Sequence, residues 1–280
     1  MDNIYRLFKA YKGKKGYIGK TESGREIPYF FLGGVDAEKD KNKPKVIIQC
    51  AVHAREHITA ELAEYFIKKY GGKKLNVGIY IIPAVNIDGI LLCKRGLCSV
   101  KNQSKREFLL KINGGSEDFS LFKANINGVD LNTNFSSGFG TGEKNIHYAS
   151  SENFIGKYPF SESETRALRD FTLKVKPALT ISYHCKGEEI YFDFNQSKEN
   201  YLRDKKIAER ISCITGYKIV ENLKSGGGYK DWCADVLKIP SLTIEVGDDN
   251  LPHPLLSPVL PDIIRRNDGV IEEIERILLK

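Results

Sequence analysis

Residues 44–72, PKVIIQCAVHAREHITAELAEYFIKKYGG, decide how the rest of the chain is read. The apolar run Val46, Ile47, Ile48 predicts a buried strand. Beyond it, Ile58, Leu62 and Phe66 share one face of an amphipathic helix, with Ala63, Ile67 and Tyr70 beside them. The turn between the two carries His53, Arg55, Glu56 and His57. A residue at the C-terminal end of a buried strand points out of an α/β sheet into the crevice where ligands bind. An imidazole and a carboxylate three positions apart at such a turn can reach one small cation. This stretch therefore predicts half of a catalytic zinc site.

The remaining strands predict where the other half lies. Asn76 to Val85 is a second near-continuous apolar strand. Pro177 to Tyr183 is a strand ending at His184, and Ser241 to Ile244 a strand ending at Glu245. Strands without polar alternation, spaced by helices, predict an α/β fold: a three-layer α/β/α arrangement around a mixed, mostly parallel sheet. If the strands are parallel neighbours, His53, Glu56, His184 and Glu245 gather at one edge of that sheet. Two neutral imidazoles and one carboxylate make a three-ligand zinc site with an open position for water. The second glutamate is then free to act as general base.

Outward from this frame, Tyr17 to Gly34 reads as a hairpin turning at Glu22-Ser23-Gly24. Asp36 to Pro44 reads as a charged loop. From Gly89 to about Asn127 the periodicity blurs, which predicts a long excursion over the sheet. Gly128 to Gly142 is irregular. Ser161 with Glu164 has the spacing of a capping box for a helix running to about Val175. Glu199 to Ile214 is helical, Tyr217 to Val220 a short strand, and Lys230 to Val236 a helix after the Gly226–Gly228 turn. One long helix is expected from Ser257 to Lys280. No repeat or linker divides the 280 residues, so one domain over 1–280 is expected.

Composition narrows the function. The net charge of +7 is mild and the apolar share of 41% permits a full core. The lysines are dispersed rather than clustered with aromatics, which argues against a nucleic-acid groove. No apolar run approaches the ~18 residues of a membrane span, and none partners a membrane. The N-terminal segment MDNIYRLFKAYKGKK lacks the apolar core of a signal peptide, so a cytoplasmic location is expected. Cys50, Cys93, Cys98, Cys185, Cys213 and Cys233 are scattered and read as reduced thiols.

The ordered motifs resemble the zinc carboxypeptidases of the carboxypeptidase A family, over most of the chain. HAREH matches the family's HxxE block and SYHC supplies the third ligand, so the resemblance implies one Zn2+ on His53, Glu56 and His184. LTIEVG matches the block whose glutamate is the base, here Glu245. GVDLN implies that Asp130 accepts the second hydrogen bond of His53. PAVNIDG and NFIGKYPFSESET also look like family segments.

Departures bear on substrate. The family commonly carries NRN where this chain has Asn132-Thr133-Asn134. Asn132 remains to dock a terminal carboxylate, but Thr133 does not replace a planar bidentate donor. Lys123 stands where the family usually places the arginine that stabilises the oxyanion. The position of the family's mobile tyrosine falls at Leu223, with Tyr229 nearby. Arg55 either lies near the substrate, as in the family, or pairs with a surface carboxylate.

At the pocket-floor position stands Lys230, where an ammonium favours a substrate side chain bearing a carboxylate; the alternative is an exposed lysine at a helix start. SGGGYKDWC, SYHCKGEEIYF and FKANINGVDLN look most like the bacterial branch that cleaves the γ-D-glutamyl–meso-diaminopimelate bond of murein peptides. The resemblance thus implies a metallopeptidase acting on a murein-derived peptide. An ordinary carboxypeptidase on α-linked peptides and a non-catalytic zinc-binding homologue are the alternatives. His57 is a weak candidate for a metal pair with His53, because HxxxH lacks the glutamate of HExxH. His147 and His253 read as surface residues. Cys185 would need a base of its own to act as a nucleophile, and His184 is committed to metal.

Overall fold

Four strands run parallel through the centre of the molecule and bring the four strand-end groups to one edge. The computed structural model describes residues 1–33, 43–221 and 225–279. The central strands are β3 (Lys45–Cys50), β4 (Gly78–Ile82), β5 (Leu179–His184) and β8 (Ser241–Glu245). A hairpin of β1 (Lys15–Lys20) and β2 (Glu26–Leu32) flanks them on one side. The short β6 (Glu189–Tyr191) and β7 (Lys218–Val220) flank them on the other. The order is β1-β2-β4-β3-β5-β8-β6-β7. Among the described residues four of the seven strand pairings are parallel. The expected mixed sheet is therefore present. The hairpin turns where expected, with the Gly24 N–H donating to the Thr21 carbonyl at 2.8 Å.

The two faces of the sheet differ in chemistry. β4 is apolar and buried throughout, as expected of a doubly covered strand. β5 and β8 instead alternate. Thr180, Ser182 and His184 share a face with their in-register partners Ser241, Thr243 and Glu245, while Ile181, Tyr183, Leu242 and Ile244 face the other way.

After the N-terminal helix α1 (Asp2–Ala10), the apolar face is covered by α2 (Ile58–Tyr70) and α8 (Leu260–Asn267), whose Phe66 ring and Asn267 side chain both meet Tyr183. α6 (Lys198–Thr215) packs against β6, β7 and α8, and α9 (Val270–Leu278) packs against α6. The polar face is covered by α5 (Ser163–Val175) and α7 (Tyr229–Asp235), linked by the Tyr229 and Thr172 hydroxyls at 2.8 Å. Phe135, Phe160, Tyr229 and Trp232 form an aromatic cluster there.

Three local expectations are corrected. The blurred stretch after Gly89 contains two helices, α3 (Ile87–Arg95) and α4 (Gln103–Ile112), capped by the side chains of Asn86 and Asn102. α4 buries Leu109 alone, too little to give a periodic stripe. The Ser161–Glu164 capping box does not form. Ser161 Oγ instead donates to Glu162, and the Ser163 N–H at the helix start donates to Glu22, 141 positions earlier in the chain. The C-terminal helix is broken into α8 and α9, since the Tyr70 hydroxyl takes the Asp268 carbonyl at 2.9 Å and Lys69 holds its carboxylate. The loop read between Asp36 and Pro44 falls largely outside the described residues, as does Leu223.

Phe135→Ala should cost about 3–5 kcal/mol, because this fully buried ring leaves a cavity among three aromatic neighbours. Urea denaturation should show a lower midpoint at unchanged slope.

Candidate metal centre and active site

The site is built where β3 and β5 end. Beyond β3 the chain passes through Ala51, held at φ 49°, to His53, which caps a single 3-10 turn, Ala54–Glu56. That turn swings Glu56 back toward His53. Glu56 Oε1 lies 2.7 Å from His53 Nδ1, and its Oε2 lies 3.0 Å from Nδ1 of His184, the last residue of β5. The two Nδ1 atoms are 3.2 Å apart. All three side chains are buried.

The far side of His53 is also committed. Asp130 Oδ1 lies 3.1 Å from Nε2, and Asp130 Oδ2 pairs with Lys123 Nζ at 2.7 Å. A carboxylate on Nε2 holds the proton there and leaves the Nδ1 lone pair facing Glu56 and His184. Two imidazole nitrogens and a carboxylate oxygen converge within 4.8 Å of one another. That is the donor set of a three-ligand zinc site, and these residues fit the ion.

Electrostatics agree with the geometry. Burial would push the Glu56 carboxyl up, but His53 and His184 together hold it below the usual range. Burial likewise opposes ionisation of Asp130, and Lys123 and His53 overcome it. The Lys123 ammonium, penalised by burial, is held charged by Asp130. Glu245 differs. It pairs in register with His184, and burial pushes its carboxyl up to about 8 against the attraction of His184. Two glutamates in one site thus have opposed proton affinities, the usual mark of divided roles.

His53, His184, Glu245 and Lys123 line a cavity of about 600 Å³ together with Asn132, Thr133 and Lys230. Lys230 is 5% exposed, and its ammonium donates to Asp231 at 2.7 Å and to the Asp193 carbonyl at 2.8 Å. It is a cavity-wall residue, not an exposed lysine. Asn132 Oδ1 accepts the Tyr229 N–H at 3.2 Å, and the Thr133 hydroxyl donates to the Asp130 carbonyl at 2.9 Å.

Other candidates lie elsewhere. The Tyr229 side chain is fully buried in the aromatic cluster and does not line this cavity. Arg55 also lies outside the lining; its Nη1 donates to Glu152 at 3.2 Å and to the Leu121 carbonyl at 3.3 Å. His57 is buried away from the metal cluster, and burial together with Lys94 pushes its ring down to about 4. The Cys185 thiol is buried, which holds it well above the usual thiol range, and its N–H donates to Glu56 at 3.4 Å. His253 is not an ordinary surface residue: half-buried, it feels Arg55, Glu56, Lys186 and His53.

Sequence reading missed Thr243 and Tyr191, which are paired in register and line the same cavity. The alternation in SLTIE was the available signal for Thr243.

Residues 13–261 match the family model described as zinc carboxypeptidase. The chain belongs to the zinc carboxypeptidase family. It is 27% identical over 272 residues to gamma-D-glutamyl-L-diamino acid endopeptidase 1 of Lysinibacillus sphaericus, covering 91% of this chain and 66% of that protein. It is also 27% identical over 283 residues to carboxypeptidase B2 of Bos taurus, covering 90% and 63%. The chain thus spans just under two thirds of the length of these relatives.

Among solved structures, bovine thrombin-activatable fibrinolysis inhibitor superposes with a TM-score of 0.79 at 22% identity, over 99% of this chain and 96% of that one. The murein-tripeptide amidase of Escherichia coli O157 superposes at 0.59 and 19% identity, over 95% and 92%. These likenesses show the carboxypeptidase fold. Among the described residues no helix is long and apolar enough to cross a membrane.

Asp130→Asn should weaken zinc binding about 10–100-fold, the usual cost of losing the partner that orients a ligand histidine. Competition with a chromophoric chelator measures this directly, without reference to any substrate.

Proposed function

We propose that this chain is a one-zinc metallopeptidase that hydrolyses the amide next to diaminopimelate in murein peptides, at the γ-D-glutamyl–meso-diaminopimelate bond. The observation that carries the reading is the convergence of His53, Glu56 and His184 beside Glu245, at the head of a cavity walled by the buried Lys230. The likeness to an endopeptidase named for γ-D-glutamyl-diamino acid bonds supports it.

His53, Glu56 and His184 would hold the zinc, which supplies Lewis acidity to a water and to the scissile carbonyl. Glu245 takes the proton of the attacking water and delivers it to the leaving amine. A carboxyl raised by burial suits both halves of that transfer. Lys123, anchored by Asp130 and 3.4 Å from Asn153, places a positive charge for the oxyanion. Its single ammonium offers less angular control than a guanidinium. Lys230 faces the carboxylate at the far end of the diaminopimelate side chain, with its ammonium held 2.7 Å from the Asp231 carboxylate.

Glu245→Gln should retain zinc while turnover falls by about 10³-fold or more; substantial residual hydrolysis would remove Glu245 from this role. In the wild type kcat/KM should rise with pH as Glu245 loses its proton. That limb should lie above the ordinary carboxylate value of about 4.3 and below about 8, because the zinc charge draws the burial-raised carboxyl down. The substrate assignment is tested by assaying L-Ala-γ-D-Glu-meso-diaminopimelate beside its L-lysine analogue and a blocked α-linked dipeptide. The first should be preferred about tenfold or more over each, as expected for one charge-assisted contact.

A further inference from the structure

Residues 151–154 brace the segment that carries Lys123 and Asp130. The Lys123 and Ala124 N–H groups both donate to the Ser151 carbonyl, at 3.0 and 2.9 Å, and the Asp130 N–H donates to the Phe154 carbonyl at 2.8 Å. Between these anchors stands Asn153, whose own carbonyl accepts the Ile146 N–H at 3.0 Å. Its backbone is left-handed, at φ 64°, a conformation that asparagine enters more readily than most side chains. Asn153 lines the cavity of the metal centre, and its Oδ1 lies 3.4 Å from the Lys123 ammonium.

An ammonium carries three N–H groups that rotate together, so one ion pair fixes its position but not the direction of the other two donors. Asp130 Oδ2 takes one of the three at 2.7 Å. A second acceptor stops the rotation and thereby sets where the third N–H points. Asn153 Oδ1 stands in that place. The oxygen edge of its carboxamide faces the ammonium, because the amino edge has only donors to offer. At 3.4 Å the contact is long, as catalytic hydrogen bonds often are before the transition-state complex tightens them. The neutrality of the acceptor matters as well. Asp130 already balances the Lys123 charge, and a second carboxylate would set a net negative group beside a developing oxyanion. An amide oxygen orients the ammonium without cancelling it.

We propose that Asn153 is a positioning residue for the hydrolysis: with Asp130 it pins two N–H groups of Lys123 and turns the third toward the oxyanion. The pair gives a lysine the angular control that a guanidinium carries in its own plane. This assignment rests on the reading of Lys123 as the group that stabilises the oxyanion, and it is indifferent to which peptide is cleaved.

The test is a double-mutant cycle on the zinc-loaded enzyme, with whichever of the peptides above the wild type cleaves. Asn153→Gly is the probe, because glycine suits the left-handed backbone. It should lower kcat about tenfold or more and leave KM within about twofold, since the oxyanion contact is made only in the transition state. Competition with a chelator should show zinc affinity unchanged, which separates a misdirected ammonium from a disturbed metal site. In the Lys123→Arg background, where the planar fork orients itself, the same substitution should cost less than about twofold in kcat. Affinity for a phosphonate analogue of the tetrahedral intermediate, measured by calorimetry, gives the same cycle for variants too slow to assay. An equal loss in both backgrounds means that Asn153 only holds the loop, and overturns the proposal; so does an unchanged kcat in Asn153→Gly. Lys123→Met tells the two failures apart. If it retains full kcat, the oxyanion role of Lys123 falls together with the proposal. If it is crippled while Asn153→Gly is not, the proposal alone falls.

Discussion

The interaction on which the rest depends is the sharing of the Glu56 carboxylate between two imidazoles in a buried site. One oxygen faces His53 at 2.7 Å and the other faces His184 at 3.0 Å. Three buried side chains with lone pairs turned toward each other are a poor arrangement for a protein by itself and a good one around a cation. The strand order, the turn after β3 and the positions of Asp130 and Lys123 follow from keeping that convergence. Asp130 holds His53 from behind, Lys123 holds Asp130, and the Lys123 carbonyl accepts the Ala54 N–H at 3.0 Å, closing the loop on the ligand turn.

The site divides its acids by environment rather than by type. Glu56, facing two imidazoles, stays ionised although buried, while Glu245, two strands over, is pushed toward protonation by burial. The cations divide similarly. Lys123 and Lys230 each pair with a buried aspartate in the wall of the cavity, Asp130 and Asp231. Arg55 pairs with Glu152 and the Leu121 carbonyl.

The sheet supplies the rigidity this needs. Alternation along β5 and β8 sends His184, Glu245 and Thr243 to one face and the apolar residues to the other, so the site sits on paired strands. The apolar face is closed by α2 and α8 against Tyr183. On the polar face His184, Thr243 and Glu245 form part of the cavity wall.

Much was written locally in the chain: the buried strands, the amphipathic helix after HAREH, the titratable residue at each strand end and the hairpin at Glu22–Gly24. Each is a matter of periodicity or turn chemistry within a dozen residues. What depended on distant partners was not legible there. The cap of α5 comes from Glu22, the break before α9 from Tyr70 and Lys69, and the burial of Tyr229 from Thr172 and its aromatic neighbours. The same holds for His253, which looked like a surface loop residue and is half-buried. The sequence by itself determined which groups could bind a metal, because ligand type and strand-end placement are local properties. Only the tertiary structure decided which of them share a site and which of Arg55, Lys123 and Lys230 line the cavity, because pairing and burial are properties of neighbours the chain brings from afar.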